Sequence, residues 1–131
     1  MHLTRARRRY KLTSIMLQKI LVLTLGGTID AQAYPTEGDA YPALAKPSGS
    51  NAAFEALSDL CAPDMQLKQI KICDKDSKNV SEEDIRNLQH HIPSASGFSR
   101  IIVTIGTDRM REIALDIQSK IPAPPCPVIF T

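Results

Sequence analysis

The apolar positions of this chain fall into runs that predict β-strands. The segments 19–25 and 100–105 are almost continuously apolar and rich in branched side chains, a pattern typical of strands buried on both faces of a parallel sheet. The segment 67–73 alternates apolar and polar residues, which predicts a less buried strand. A fourth strand is expected over 128–131, where the sequence ends.

Three helices are predicted between these strands, because apolar residues recur there at the spacing of one helix face. Asn51 can cap the first helix. Ser81 and Asp84 have the spacing of a capping box at the start of the second, and Pro93 closes it. The predicted inner faces are Phe54, Leu57 and Cys61 in the first helix, Ile85, Leu88 and Ile92 in the second, and Met110, Ile113, Ala114 and Ile117 in the third.

The alternation of strand and helix predicts an α/β fold. We expect a three-layer, doubly wound, flavodoxin-like parallel sheet with right-handed crossovers. The segment 30–50 follows the first strand and is so rich in turn residues that it forms no regular element. Because a loop of about twenty residues in a small domain is usually functional, we predict a lid here.

Charge is distributed unevenly along the chain. The segment 1–18 contains five basic residues and no acidic one, so it contributes +5; since the whole chain carries +2, the remainder carries −3. A basic segment can bind nucleic acid or direct targeting, but charged tails usually stay solvated. We interpret 1–18 as a disordered extension, with Met16 as a more natural start. The folded domain is then 19–131, for which nucleic acid is not an expected partner.

Composition argues against a membrane protein and against a metal or disulfide protein. No stretch approaches the roughly 20 apolar residues that cross a bilayer. The three cysteines, Cys61, Cys73 and Cys126, lie far apart and show neither metal spacing nor a disulfide framework, which favours a cytoplasmic location. His90 and His91 are neighbours on a predicted helix, so they point in different directions and are not expected to share a metal ion.

A polar motif follows each of the first three predicted strands. These motifs are Gly26-Gly27-Thr28, Asp76-Ser77-Lys78-Asn79 and Gly106-Thr107-Asp108. Because parallel strands present their carboxyl ends at one edge of the sheet, we expect the motifs to converge there. Taken singly, each has a plainer interpretation: a glycine turn or phosphate cradle without the G-x-G-x-x-G pattern, a polar loop, and a helix cap.

The three motifs in this order resemble the bacterial-type L-asparaginase/glutaminase family of threonine amidohydrolases. The resemblance is to its N-terminal domain, or to small single-domain members, and runs from about residue 19 to residue 131. It implies that Thr28, in the Gly-Gly-Thr-Ile signature, is the nucleophile. It further implies that Tyr41, with Tyr34 as second candidate, is the lid tyrosine that helps to activate Thr28, and that Thr107 belongs to the proton relay.

The same resemblance assigns residues to substrate binding. Ser77, beside Asp76, matches the serine that holds the α-amino and α-carboxylate end of the substrate. Asp108 matches the aspartate that binds the substrate ammonium. Lys78 has no counterpart in the family pattern, but its ammonium can pair with the substrate carboxylate. A free amino acid is a zwitterion, so an anion for its ammonium and hydroxyl donors for its carboxylate suit it chemically.

The implied activity is hydrolysis of the side-chain amide of L-asparagine to L-aspartate and ammonia through an acyl-enzyme. L-Glutamine is the second candidate substrate, no cofactor is expected, and family members assemble through this domain, which implies a homo-oligomer. The alternative from another class is an inactive remnant that binds a small amino acid or another protein chain. A phosphate- or nucleotide-binding α/β module is a third hypothesis.

The sequence also departs from the family pattern. Leu25 and Ile105 stand where polar residues are usual, Arg109 replaces a common threonine, and Lys78 replaces a small or amide residue. The catalytic lysine of the family lies beyond Thr131, so no residue here is assigned to it, and we expect the chain to be truncated at its C-terminus. Loss of a general base costs about 10²–10⁴ in rate.

Overall fold

A four-stranded, all-parallel sheet forms the centre of the protein. The computed structural model describes residues 17–27 and 51–131. The strands are β1 (Gln18–Thr24), β2 (Met65–Lys71), β3 (Arg100–Thr104) and β4 (Val128–Phe130), in the spatial order β2-β1-β3-β4. This arrangement confirms the predicted α/β class and parallel sheet. The two most apolar strands, β1 and β3, lie at the centre, where both of their faces can be buried.

Three helices connect these strands in the predicted order. They are α1 (Ala52–Asp59), α2 (Glu82–His91) and α3 (Met110–Lys120). Two short 3₁₀ helices, Ser77–Asn79 and Thr107–Arg109, precede α2 and α3. None of the described helices is long and apolar enough to cross a membrane. The predicted lid, 30–50, and the predicted extension, apart from its last two residues, lie outside the described residues.

The hydrophobic core lies where α2 and α3 pack against the sheet. Its members come from alternate positions of the central strands and from one face of each helix. Leu23, Leu88, Ile101 and Ile113 are completely buried within it. The stripes predicted for the second and third helices are therefore confirmed at their central positions. The first helix is buried less deeply, because only Ala53 of α1 is buried and the predicted Leu57 is half-exposed.

The second strand begins and ends two residues earlier than its sequence pattern predicts. It pairs with β1 from Gln18↔Met65 to Thr24↔Lys71, so it ends where its partner ends. The backbone just beyond this point is still hydrogen-bonded to β1, since Ile72 N–H donates to the carbonyl of Thr24 at 2.8 Å. Its partial burial, in contrast, is as predicted and fits an edge strand.

Helix starts show one confirmed and one wrong prediction. Ser81 Oγ accepts a hydrogen bond from the backbone of Asp84 at 3.2 Å, and Asp84 Oδ2 accepts one from the backbone of Ser81 at 2.8 Å, which confirms the capping box. Asn51 does occupy the position before α1, but its side chain does not cap the helix. Its Oδ1 accepts instead from Gln69 Nε2 at 3.1 Å, and the same amide donates to Thr24 Oγ1 at 3.2 Å.

Candidate functional site

The segments that follow β1, β2 and β3 meet at the carboxyl edge of the sheet. Backbone hydrogen bonds hold them together: Leu25 N–H donates to the carbonyl of Thr104 at 2.9 Å, and Lys75 N–H donates to the carbonyl of Leu25 at 2.9 Å. Gly26 and Gly27 follow with φ values of 88° and 95°, which L side chains rarely adopt. The convergence predicted for the three motifs is thus confirmed for the described part of each.

Close backbone contacts at this edge leave no room for side chains at the glycines. A Cβ atom on Gly26 would lie 2.7 Å from the nitrogen of Lys75 and 2.8 Å from Cα of Asp74. A Cβ atom on Gly27 would lie 3.2 Å from the nitrogen of Gly106. The glycines therefore let the three segments touch, and we name this region the glycine edge: Gly26–Gly27, Asp74–Lys78 and Gly106–Asp108.

Ser77 is the most buried polar residue of the glycine edge. It begins a 3₁₀ helix, which Asp76 caps by accepting a hydrogen bond from the backbone of Lys78 at 3.1 Å. Ser77 is 1% exposed, and its Oγ would lie 3.1 Å from a Cβ on Gly106. Within the described residues its Oγ has no hydrogen-bond partner. Because a buried hydroxyl without a partner is costly, Ser77 can complete its hydrogen bonding with a polar group that enters beside Gly106.

Thr107 and Asp108 lie on the exposed rim of the glycine edge. They belong to the 3₁₀ helix that precedes α3, and no side chain caps the start of this 3₁₀ helix or the start of α3. The interpretation of Asp108 or Thr107 as a helix cap is therefore wrong. Asp108 Oδ2 lies instead 3.6 Å from Lys78 Nζ, so an ion pair joins the two 3₁₀ helices across the edge.

Arg109 braces these two helices, a role that the sequence motifs did not predict. Its Nη1 donates to the carbonyl of Val80 at 2.7 Å, while Nε and Nη2 donate to the carboxylate of Glu112 at 3.2 and 3.0 Å. The hydrogen bonds to Glu112 raise the pKa of Arg109. The i, i+3 spacing to Glu112 was visible in the sequence, but the contact with Val80 depends on how α2 and α3 pack.

A second unpredicted ion pair ties the glycine edge to α2. Lys75 Nζ donates to Asp84 Oδ2 at 2.7 Å, and Asp84 is also the acid of the capping box. Burial opposes the charge of Asp84, but hydrogen bonds from Lys75 and Ser81 outweigh it and hold the pKa of this carboxyl below its ordinary value. Asp84 is consequently a structural anion and not a proton donor at neutral pH.

Cys73 is the one thiol beside the glycine edge in the described part of the chain. Its Sγ donates to the carbonyl of Leu25 at 3.3 Å. Burial, followed by the charge of Asp84, raises the pKa of Cys73 to about 11. Since the thiolate is the nucleophilic form, Cys73 is unreactive at neutral pH.

The structure thus brings together Asp76, Ser77, Lys78, Thr107 and Asp108, five of the seven site residues predicted from the sequence. The other two, Thr28 and Tyr41, lie outside the described residues, as does Tyr34. Over 17–27 and 51–131, no group of three or more histidine, cysteine, aspartate or glutamate side chains is arranged to hold a metal ion.

Comparisons with known proteins agree on one family. A family model described as the asparaginase N-terminal domain matches residues 19–131. The thermostable L-asparaginase from Thermococcus kodakarensis has a similar structure, with a TM-score of 0.67 and 25% sequence identity over 86% of this chain and 33% of that chain. A probable cytoplasmic L-asparaginase from Campylobacter jejuni gives a TM-score of 0.50 and 24% identity over 76% of this chain and 26% of that chain.

No curated protein sequence matches the chain. The chain spans about one third of the Thermococcus protein and one quarter of the Campylobacter protein. The second likeness, at 24% identity, concerns the fold alone.

Proposed function

Since this chain belongs to the asparaginase family through its N-terminal domain, we propose that it hydrolyses the side-chain amide of L-asparagine. The products are L-aspartate and ammonia. The observation that carries this proposal is the glycine edge, where the Ser77 hydroxyl is buried without a hydrogen-bond partner among the described residues and the Asp108 carboxylate is exposed. The two side chains follow β2 and β3, the strands that flank β1. L-Glutamine is the competing substrate.

Recognition of the substrate follows from the charges of the glycine edge. The Asp108 carboxylate binds the α-ammonium, because a charge-assisted hydrogen bond is about twice as strong as a neutral one. The Ser77 hydroxyl and the Lys78 ammonium bind the α-carboxylate. Asp76 holds the turn that presents them, since it accepts the backbone hydrogen bond of Lys78.

Thr28 is the nucleophile in this proposal. The Thr28 hydroxyl oxygen attacks the carbonyl carbon of the side-chain amide, and the hydroxyl proton passes through Tyr41 and Thr107 to the amide nitrogen. Ammonia then departs, and the substrate acyl group remains bound to Thr28 as an ester. Water then attacks the ester carbonyl, L-aspartate departs and the Thr28 hydroxyl is restored. Backbone N–H groups of the glycine turn can stabilise the oxyanion of both steps. The raised pKa of Cys73 keeps its thiol protonated at neutral pH, which favours Thr28 over Cys73 as the nucleophile.

The test is ammonia release from L-asparagine by the purified chain, with L-glutamine measured in parallel. Thr28→Ala is expected to reduce the rate by at least about 10³-fold, because removal of a nucleophile disables the whole relay. Thr28→Ser keeps a hydroxyl and should retain measurable activity. Absence of ammonia release by the folded wild-type chain would contradict the proposed activity.

One alternative is favoured by a specific observation. The described recognition groups, Ser77, Lys78 and Asp108, can hold an amino acid without any catalytic step. A chain that binds L-aspartate in an NMR titration, yet releases no ammonia from L-asparagine or L-glutamine, is an amino-acid-binding module. If the double variant Lys78→Gln/Asp108→Asn leaves that binding unchanged, the assigned site is wrong for both functions.

The remaining properties of the proposed enzyme follow from the family and the sequence. We propose a cytoplasmic protein that needs no cofactor, with 1–18 as an extension and 19–131 as an asparaginase-like N-terminal α/β domain. A homo-oligomer is proposed because family members assemble through this domain. Size-exclusion chromatography with light scattering tests this assembly, and a monomeric mass at the concentration used for the activity assay would contradict it.

A further inference from the structure

The ion pair between Lys78 and Asp108 has the charge pattern of the substrate end that the glycine edge is proposed to bind. The Lys78 ammonium lies 3.6 Å from the Asp108 carboxylate, and each side chain is about half exposed, at 55% and 54%. An α-amino acid carries an ammonium and a carboxylate of its own at a similar separation. The pair therefore places a cation where the proposed site would place the ligand ammonium.

We propose that Lys78 acts as an internal substitute for the ligand ammonium, and that this makes the site selective for zwitterions. The inference rests on the proposed function. When a zwitterion enters, its ammonium replaces Lys78 on Asp108, and the released Lys78 ammonium pairs with the ligand carboxylate. One internal ion pair becomes two ion pairs with the ligand.

A count of ion pairs shows why half-ligands are disfavoured. A ligand with only an ammonium displaces Lys78 from Asp108 but brings no carboxylate to pair with Lys78. One ion pair is lost and one is gained, so the number of ion pairs does not increase. A ligand with only a carboxylate draws Lys78 away and leaves Asp108 without its cation, again with no gain. Only the zwitterion gains a pair, and an exposed pair of this kind contributes about two- to fivefold in affinity.

The other charges around the glycine edge are committed to partners within the fold. Lys75 is bonded to Asp84, Arg109 to Glu112 and the carbonyl of Val80, and Asp76 to the backbone of Lys78. Lys71 lies 3.8 Å from Asp74. In the described part of the chain, Lys78 and Asp108 are the pair that spans the two 3₁₀ helices, so exchange with a ligand there disturbs no helix cap.

The experiment compares three amides that differ only in their charged groups. L-Asparagine carries both charges, 3-aminopropanamide carries only the ammonium, and succinamate carries only the carboxylate. Dissociation constants are measured by NMR titration of the full chain at low ionic strength. A Thr28→Ala background prevents turnover of any ligand, and Lys78→Gln and Asp108→Asn are introduced into it.

Lys78→Gln should tighten binding of 3-aminopropanamide about two- to fivefold, because its ammonium no longer competes with Lys78. Binding of L-asparagine should change little, since it gains one pair in either protein. Asp108→Asn should tighten binding of succinamate by a similar factor. If Lys78→Gln weakens binding of L-asparagine without tightening binding of 3-aminopropanamide, Lys78 serves only to bind the ligand carboxylate. If the substitution tightens binding of both ligands equally, Lys78 serves only to block the site. Either result overturns the inference.

The matched control is Lys120→Gln, which removes another half-exposed lysine that is paired with an aspartate. Lys120 Nζ lies 3.0 Å from Asp116 Oδ2 on α3. This variant has the same change of net charge and should leave all three dissociation constants unchanged. If none of the amides binds to the Thr28→Ala chain or to its variants, the proposed recognition site is itself wrong and the inference is overturned with it. If the amides bind but Lys78→Gln and Asp108→Asn leave their dissociation constants unchanged, the inference alone is overturned.

Discussion

The glycine edge differs in its packing from an apolar groove on the surface of this protein. At the glycine edge three segments meet so closely that a Cβ on Gly26 would overlap three atoms of its neighbours, two of Asp74 and one of Lys75. The apolar groove lies between α2, α3 and β4 and has a volume of about 330 Å³. Its walls are Ile92, Ala114, Ile117, Gln118, Ile121, Pro122, Pro124, Val128 and Phe130.

The comparison shows that the more apolar of these two regions is not the more tightly packed one. The groove is apolar but leaves space beside its side chains, whereas the glycine edge is polar and leaves none. Added volume should therefore be harmful at the polar edge and harmless in the apolar groove. Two substitutions that add volume test this difference, and a third tests the ion pair that ties the glycine edge to α2; they follow in order of decreasing effect.

The largest effect is expected for Gly26→Ala. The new methyl group would meet the backbone of Asp74 and Lys75 at 2.7–2.8 Å in a residue whose φ is +88°. Strain at positive φ and overpacking together should lower the free energy of unfolding by about 2–5 kcal/mol. Urea denaturation followed by circular dichroism measures this loss.

Gly97→Ala is the matched control for that substitution. Gly97 has a φ of +93°, but nothing lies within 4 Å of an added Cβ. It should lose only the backbone contribution, about 1–2 kcal/mol. Equal losses in the two variants would mean that crowding does not shape the glycine edge.

A smaller effect, with a distinct pH dependence, is expected for Asp84→Asn. Asp84 accepts hydrogen bonds from Lys75 and Ser81, and loss of its charge should cost about 1–2 kcal/mol at pH 7. Because the folded protein holds the pKa of Asp84 below its ordinary value of 3.8, this contribution is present above that pH and is lost as pH falls through the folded pKa.

The measurement is urea denaturation of the wild type and Asp84→Asn between pH 7 and pH 2. The difference in stability should be constant from pH 7 to about pH 5 and should shrink in more acidic solution. A difference that grew on acidification would show that Asp84 is destabilised by burial more than it is stabilised by Lys75. Glu83→Gln, an exposed neighbour in the first turn of α2, controls for the change of charge.

The smallest effect is expected for Ala114→Leu in the apolar groove. Its added methyl groups extend into open space between α3 and β4, so the free energy of unfolding should stay within about 0.5 kcal/mol of the wild type. Ala95→Leu is the matched control, because Ala95 is 1% exposed within the core. Overpacking should cost that variant about 1–3 kcal/mol. If Ala114→Leu loses as much as Ala95→Leu, the groove is packed as tightly as the core.

The sequence predicted much of the fold because burial on a helix or strand is encoded by periodicity. The runs around Val22 and Val103 are almost continuously apolar and became the two central strands. The i, i+3 relation of Ser81 and Asp84 was sufficient to predict a capping box, since both partners lie on one helical turn. Where Met65 would pair was not visible, because the register depends on the partner strand.

The candidate site divides in the same way. The shared edge of a parallel sheet follows from the alternation of elements, so the meeting of the motifs could be predicted. The partners of individual side chains could not. Asn51 is hydrogen-bonded to Gln69 on β2, and Asp108 forms an ion pair with Lys78. Both residues stand near a helix start in the sequence, but neither side chain caps a helix.

By itself, the sequence determined the kinds of elements, their order, and the positions of Gly26–Gly27, Asp76–Lys78 and Gly106–Asp108 at strand ends. These features depend on residues within a few positions of one another, where covalent geometry limits the alternatives. Only the tertiary structure decided that Ser77 is buried against Gly106, that Arg109 reaches Val80, and that Lys78 faces Asp108. Such contacts join segments about thirty residues apart, and the packing of α2 and α3 on the sheet sets their distances.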